Sequence, residues 1–227
     1  MKQFYSTFFL IFFMAFVATL SSCSSTNLKE SNNPEVVYNE GARLLKDHDY
    51  LIAEEYFSEV RRRFPQSRFA VLSQLASADL EYEQDNFLEA ATAYGFFVDQ
   101  FPRHEQAARA QYLRADSFFK AAPEKVARDQ TQVFDAIIVS REFLKRYSAS
   151  PFKEQVVKIL EKSRLRLAEK EAYVAAFYER KDKTLAAYRR WKGLKADFAD
   201  IASTKKGATL LNKADERLAI LQKEIDK

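Results

Sequence analysis

The apolar positions of this chain recur at a fixed distance. Residues 50–65 read YLIAEEYFSEVRRRFP, and 37 positions later residues 87–102 read FLEAATAYGFFVDQFP. Tyr50 meets Phe87, Ala53 meets Ala90, Phe57 meets Tyr94, Val60 meets Phe97, and Phe64-Pro65 meets Phe101-Pro102. The stretch before each keeps the same register, with Gly41 against Ala78, Leu45 against Tyr82 and Asp49 against Asn86. Apolar residues three, four and seven apart make a stripe of helical period, so each unit predicts two helices joined by a turn. Two helices approach closely only where small side chains meet. That makes Gly41/Ala53 and Ala78/Ala90 the crossing points and assigns the aromatics to the holes around them. One such pair leaves an apolar face open, and stacking on the next pair closes it.

A small residue, an aromatic, a small residue twelve after the first, an aromatic four later and a closing Pro is the tetratricopeptide pattern. The fold expected is therefore all-α: a tetratricopeptide-repeat helical solenoid of about five helix pairs, superhelical. The first pair is placed at 35–47 and 50–64, with Pro34 opening it. The second lies at 68–84 and 87–101, where Asn86 and Glu89 have capping-box spacing. The third starts at 104–121, carrying Ala115 and Phe119. Its partner is marked by Ala136, Phe143 and Tyr147, which follow Ala90, Phe97 and Phe101 by 46 positions, nine more than the repeat. The nine extra residues define an insertion at 121–132, with Asp129 and Gln132 spaced to cap the next helix. Ser148 takes the closing Pro position. From Pro151 to about residue 181 no Gly or Pro interrupts a long helix. Residues 174–198 then resume the pattern with Ala175, Ala187, Trp191, Leu194 and Phe198, and a charged helix at 202–227 caps the chain. The organisation expected is 34–148 for the N-terminal repeats and 149–227 for the C-terminal repeats and cap.

The N-terminus stands outside this pattern. Residues 8–20, FFLIFFMAFVATL, are apolar for the length of a signal-peptide core, shorter than the roughly 20 residues of a membrane span. Leu20-Ser21-Ser22-Cys23 follows, and Cys23 is the sole cysteine of the chain. This resembles a bacterial lipobox. It implies that 1–22 are a cleaved lipoprotein signal peptide and that Cys23 is the acylated mature N-terminus, anchored by its chains in membrane lipid. In lipoproteins of this kind a residue other than Asp after the Cys, here Ser24, goes with sorting to the outer membrane. Residues 23–33, with no apolar period, read as a flexible tether. One of the +4 formal charges is Lys2 and leaves with the signal peptide, so the mature chain carries +3.

That charge is modest and not gathered into a stripe, which argues against nucleic-acid binding. Four Gly and five Pro in 227 residues argue for helices over sheets. Little in the chain points to chemistry. His48 and His104 lie at turns of different repeats without ligand-spaced partners, so neither a metal nor a cofactor is expected. No glycine-rich phosphate loop is present. Residues 203–206 match Ser-x-x-Lys formally, but companion motifs are missing, and Ser203 or Thr204 reads as a helix N-cap. Trp191 stands where Phe57 and Tyr94 stand and reads as core. Arg61-Arg62-Arg63 reads as a solvated helix end complementing the helix dipole, with lipid headgroups as the alternative. The expectation is a non-enzymatic protein.

Arg128-Asp129-Gln130-Thr131, then Phe143-Leu144-x-x-Tyr147, then Leu167-Ala168 and Val174-Ala175-x-Phe177-Tyr178-x-Arg180, then Ala186-Ala187-x-x-Arg190 carry a more specific resemblance. Over residues 23–200 the chain resembles the BamD (ComL/YfiO) family, the tetratricopeptide lipoproteins of the outer-membrane β-barrel assembly machinery. The resemblance implies a scaffold anchored by lipid on the periplasmic face of the outer membrane. Its C-terminal half would dock a POTRA domain of the barrel-forming subunit. Its N-terminal half would read the C-terminal signals of unfolded outer-membrane proteins, and other assembly lipoproteins would be partners. Arg190 aligns with a family arginine in the docking half and is the partner-binding candidate. Tyr38, Arg43, Tyr50 and Tyr82 are candidates for lining a peptide groove, although Tyr50 and Tyr82 also hold packing positions. Ser148 and Ala199 replace family prolines, and one helix follows where the family often carries two. The alternatives are another envelope tetratricopeptide adaptor, for peptidoglycan or pilus assembly, and a competence-related peptidoglycan-binding factor.

Overall fold

The computed structural model describes residues 28–227, so the signal peptide, Cys23 and Ser24 lie outside the described residues. Among the described residues nine α-helices follow a 3-10 turn at Leu28–Glu30: α1 (Pro34–Lys46), α2 (Tyr50–Arg63), α3 (Arg68–Glu83), α4 (Phe87–Gln100), α5 (Ala107–Ala121), α6 (Thr131–Arg146), α7 (Lys153–Glu179), α8 (Thr184–Asp197) and α9 (Lys205–Ile225). Each packs on the next in sequence, as a solenoid requires. The expected solenoid is present, but as four antiparallel pairs closed by a ninth helix. Nothing in α7 breaks its 27 residues, so length that another pair would have used stays in one helix. Among the described residues no helix is long and apolar enough to cross a membrane.

The crossing residues are sealed. Ala53, Ala78, Ala90, Ala115, Ala136, Ala175 and Ala187 have no accessible surface, and Gly41 is buried against the Phe57 ring. A Cβ on Gly41 would stand 2.8 Å from Phe57, closer than side chains tolerate. Around these points Phe57, Tyr94, Phe97, Phe143, Trp191 and Leu194 fill the core, where the spacing predicts them.

The turns repeat as well. His48, Asp85 and Asp182 adopt positive φ of 65°, 60° and 53°, and the next residue's N–H reaches back five positions, as Asn86 N–H does to the Glu81 carbonyl. Asp and His accept this left-handed corner better than most residues, so the three α1–α2, α3–α4 and α7–α8 turns close alike. At the other ends Phe64, Phe101, Tyr147 and Phe198 share φ near −125° and each donates its N–H to the carbonyl four residues back. The chain turns at Ser148 as it does at Pro65 and Pro102, so the proline is not required for the corner, while Ala199 instead opens a 3-10 turn, Ala199–Ser203.

Several local expectations are not met. Asn86 does not cap α4; its amide donates to Glu81 instead. Asp129 does not cap α6 with Gln132. Its carboxylate accepts from Thr131, and Gln130, almost wholly buried, donates to the carbonyls of Pro123 and Lys125. The insertion is thereby folded on itself, and Lys170 of α7 donates to the Arg128 carbonyl and holds it down. The tether is not free along its whole length. Arg63 donates to the carbonyls of Lys29 and Glu30 and to the Asn32 side chain, and Lys29 pairs with Glu55 at 2.5 Å. Residues 29–32 therefore lie clamped to α2. Arg61 bonds Glu54, Ser77 and the Ser73 carbonyl, so Arg61 and Arg63 are connectors, while Arg62, 70% exposed and paired with Glu59 on its own helix, is solvated as expected. Thr204 does cap α9, accepting from Gly207 N–H at 3.0 Å, while Ser203 bonds the Asp200 carbonyl.

Candidate interaction surfaces

The first surface lies where α3 faces α5. Ala78 and Ala90 set α4 so that Tyr94, four residues after the crossing alanine, points its ring into the core and its hydroxyl out toward α3. The hydroxyl donates to Asp79 Oδ1 at 2.6 Å, and Arg109 of α5 holds the other oxygen at 3.1 Å. One repeat on, Asp116 takes the equivalent place of Asp79 and accepts from Tyr82 at 2.6 Å. Lys120 pairs with Asp116 and lies over the Tyr82 ring, 4.3 Å from its centroid. Burial pushes the Tyr94 and Tyr82 hydroxyls well above the ordinary phenol range, and the neighbouring carboxylates add to it. They are therefore neutral donors at all physiological pH, and the face is wired within the chain.

Of the groove candidates, Tyr82 belongs to this network. Tyr38 packs its ring on Phe57 and Phe69, and burial raises its hydroxyl too. Tyr50 instead meets His48, its hydroxyl 2.7 Å from Nδ1, and Arg43 is held by Glu40 of its own helix and by Asp47 at the helix end. The second histidine, His104, accepts from Gln106 N–H and stands edge-on to Phe97. Among the described residues no group of three potential metal ligands comes together.

The second surface is the corner between α7 and α8. Trp191 is core, as its register predicts, and its ring N–H donates to Glu179. Arg217 of α9 holds the same carboxylate with two bonds, so Glu179 ties α7, α8 and α9 together. One position along from Trp191, Arg190 is exposed and reaches Glu171 of α7 at 3.1 Å. It does not lie over the Trp ring. Around it Arg180, Lys181, Lys183, Arg189 and Lys192 are exposed and form no ion pair among the described residues. Phe177 and Leu185 are exposed beside them. Sequence reasoning found Arg190 through resemblance alone. Glu171 as its holder, and the unpaired cations, emerge only when α7 and α8 are laid side by side.

Both surfaces offer hydrogen bonds, charge and apolar contact, the means of non-covalent recognition.

Comparison with known proteins bears on what is recognised. A family of outer membrane lipoproteins, YfiO, matches residues 30–227. The outer membrane protein assembly factor BamD of Caulobacter vibrioides is 27% identical over 182 residues, 78% of this chain and 59% of that protein. BamD of Pasteurella multocida is 22% identical over 216 residues, covering 91% and 83% of the two chains. BamD of Vibrio cholerae is 23% identical over 214 residues, covering 90% and 89%. The chain thus spans well under two thirds of the Caulobacter protein and most of the other two.

Proposed function

The chain belongs to the YfiO family of outer membrane lipoproteins, and from that premise we propose that it is a non-enzymatic assembly factor for outer-membrane β-barrel proteins. In this reading Cys23 carries the acyl chains that hold it on the periplasmic face of the outer membrane. The α7–α8 corner docks a POTRA domain of the barrel-forming subunit. The N-terminal repeats receive the C-terminal segment of an unfolded client as an extended peptide. Other assembly lipoproteins complete the complex.

The observation that carries the reading is the corner: several cations without partners, flanked by exposed Phe177 and Leu185. Cations left unpaired on a folded surface raise the rate at which an acidic partner finds it, and apolar neighbours hold the partner once docked. Arg190 is the centre of this arrangement. Its half-exposed pair with Glu171 keeps the guanidinium extended, and a partner carboxylate replaces Glu171 without rebuilding the helix.

Titration calorimetry of the chain from residue 23 against isolated POTRA domains tests this. Arg190→Leu weakens binding by about 2–5 kcal/mol where the docked partner desolvates the pair, and acts mainly on association rate at a wet rim. Equal affinities and rates, with the variant folded, return Arg190 to the ordinary surface. Mass spectrometry of the mature N-terminal peptide tests the anchor, and an unmodified Cys23 thiol rejects it.

A further inference from the structure

One position of the repeat is unexplained by packing. Two residues before the crossing alanine, at the start of the second helix of every pair, stand Leu51, Leu88, Phe134 and Leu185. They are 80%, 48%, 55% and 50% exposed. Single exposed apolar side chains are ordinary, but here all four pairs place one at the same solvent-facing point. That point lies in a helix's first turn, where acidic and polar residues are favoured.

In the first three pairs acids lie within five residues of this row in sequence: Asp49 and Glu54 about Leu51, Asp85 and Glu89 about Leu88, Asp129 and Asp135 about Phe134. Between α2 and α4, over α3, it opens into a cleft of about 560 Å³. Leu88, Ala93 and Phe96 give the cleft an apolar side, with Phe96 60% exposed. Glu54, Glu81 and Glu89 give it an acidic one. Arg61 neutralises Glu54, and Glu81 receives only the Asn86 amide. Glu89 has no ion pair or hydrogen bond with its side chain among the described residues.

We propose that the α2–α4 cleft and the apolar row beside it form a docking edge for a polypeptide segment in which apolar side chains alternate with arginine or lysine. A long basic side chain suits the cleft in both its parts. Its methylene stem lies on Leu88 and Phe96, its cationic head faces Glu89 and Glu81, and the open Phe96 ring adds a cation–π contact. The segment's apolar side chains meet Leu51, Leu88 and Phe134 in turn. The surplus of carboxylates selects against an anionic lipid surface, which the same apolar row would otherwise suit. This edge is separate from the α7–α8 corner and independent of the assembly role assigned to that corner.

Fluorescence anisotropy on the chain from residue 23, purified without acyl groups, tests it. The probes are a labelled twelve-residue peptide alternating Leu with Arg and its counterpart alternating Leu with Glu. The Leu-Arg peptide is expected to bind at least tenfold more tightly. Phe96→Ser and Glu89→Lys, both at exposed sites and checked for unchanged thermal melting, each lower its affinity at least fivefold, while Arg190→Leu leaves it unchanged. Absence of binding, equal binding of the two peptides, or indifference to Phe96→Ser overturns the proposal. So does self-association of the unliganded chain that Phe96→Ser abolishes, which would assign the cleft to a second copy. Binding to anionic vesicles that depends on Phe96 would assign it to lipid, with the same consequence.

Discussion

Leu88 and Leu185 stand at the same point of their helix pairs and are about equally exposed, 48% and 50%, yet their surroundings have opposite sign. Leu88 overlooks Glu54, Glu81 and Glu89; Leu185 sits among Lys183, Arg189 and their neighbours. Beneath the surface the two regions agree closely. Tyr94 and Trp191 each lie four residues past a crossing alanine, fill the core, and hand their polar tip to an acid on the preceding helix. That acid is Asp79 in one case and Glu179 in the other, and each is shared with an arginine of the following helix, Arg109 or Arg217. The contrast separates two levels of the molecule. Packing repeats because every pair must bury the same stripe, whereas the solvent-facing residues of the same helices are free to take opposite charge.

If the shared level is real, breaking it costs the same at both ends. Ala90→Leu and Ala187→Leu each force three further heavy atoms into a sealed crossing, and each is expected to cost about 1–3 kcal/mol or more in denaturant unfolding. Leu88→Ser and Leu185→Ser, two residues away but exposed, should stay within about 0.5 kcal/mol. Equal losses at crossing and surface positions would mean that the repeat register is wrong.

Removing the acids should strand the aromatic tips in the same manner. Asp79→Ala leaves the Tyr94 hydroxyl and Arg109 without their acceptor, and Glu179→Ala does so to Trp191 and Arg217. About 1–3 kcal/mol is expected for each. A markedly smaller loss at Asp79 would show that solvent re-satisfies the α3–α5 face, which is the more open of the two.

Alkali distinguishes what the mutations equate. Burial and Asp79 hold the folded Tyr94 hydroxyl above its unfolded value near 10. The unfolded chain therefore ionises first. The stability is fully present below pH 10 and falls as pH rises beyond it, so Tyr94→Phe should flatten this decline in unfolding experiments above pH 10. Trp191, with no proton to lose in that range, contributes nothing comparable. If alkaline unfolding is the same in Tyr94→Phe, the buried hydroxyl is not what alkali attacks.

One substitution is expected to give a small gain. Gly193 lies inside α8 with nothing within 4 Å of where a Cβ would stand. Gly193→Ala should stabilise the fold by about 0.5–1 kcal/mol. Gly207 is the opposite case, since a Cβ there would meet the Ile201 carbonyl oxygen at 2.0 Å. A thermal melt raised by Gly193→Ala, with POTRA binding weakened, would show that a partner approaches the α8 backbone beside Arg190.

The sequence alone determined the helix pairs, the crossing alanines and the aromatic core. Those follow from spacings of four, twelve and 37 that helix geometry converts directly into shared faces. It also placed His48 and His104 at turns, and a helix N-cap at Ser203 or Thr204, of which the structure uses Thr204. Only the tertiary structure decided what the charged residues do. Arg63 reaches 34 residues back to the Lys29 carbonyl, Arg217 reaches 38 back to Glu179, and Arg190 reaches 19 back to Glu171. No local period encodes such distances. The capping motifs at Asn86 and Asp129 failed differently, because each side chain took a local partner outside the capping pattern, Glu81 and Thr131. Burial is specified by a pattern within one helix, while a charge or an amide on the surface takes its role from whichever helix is packed beside it.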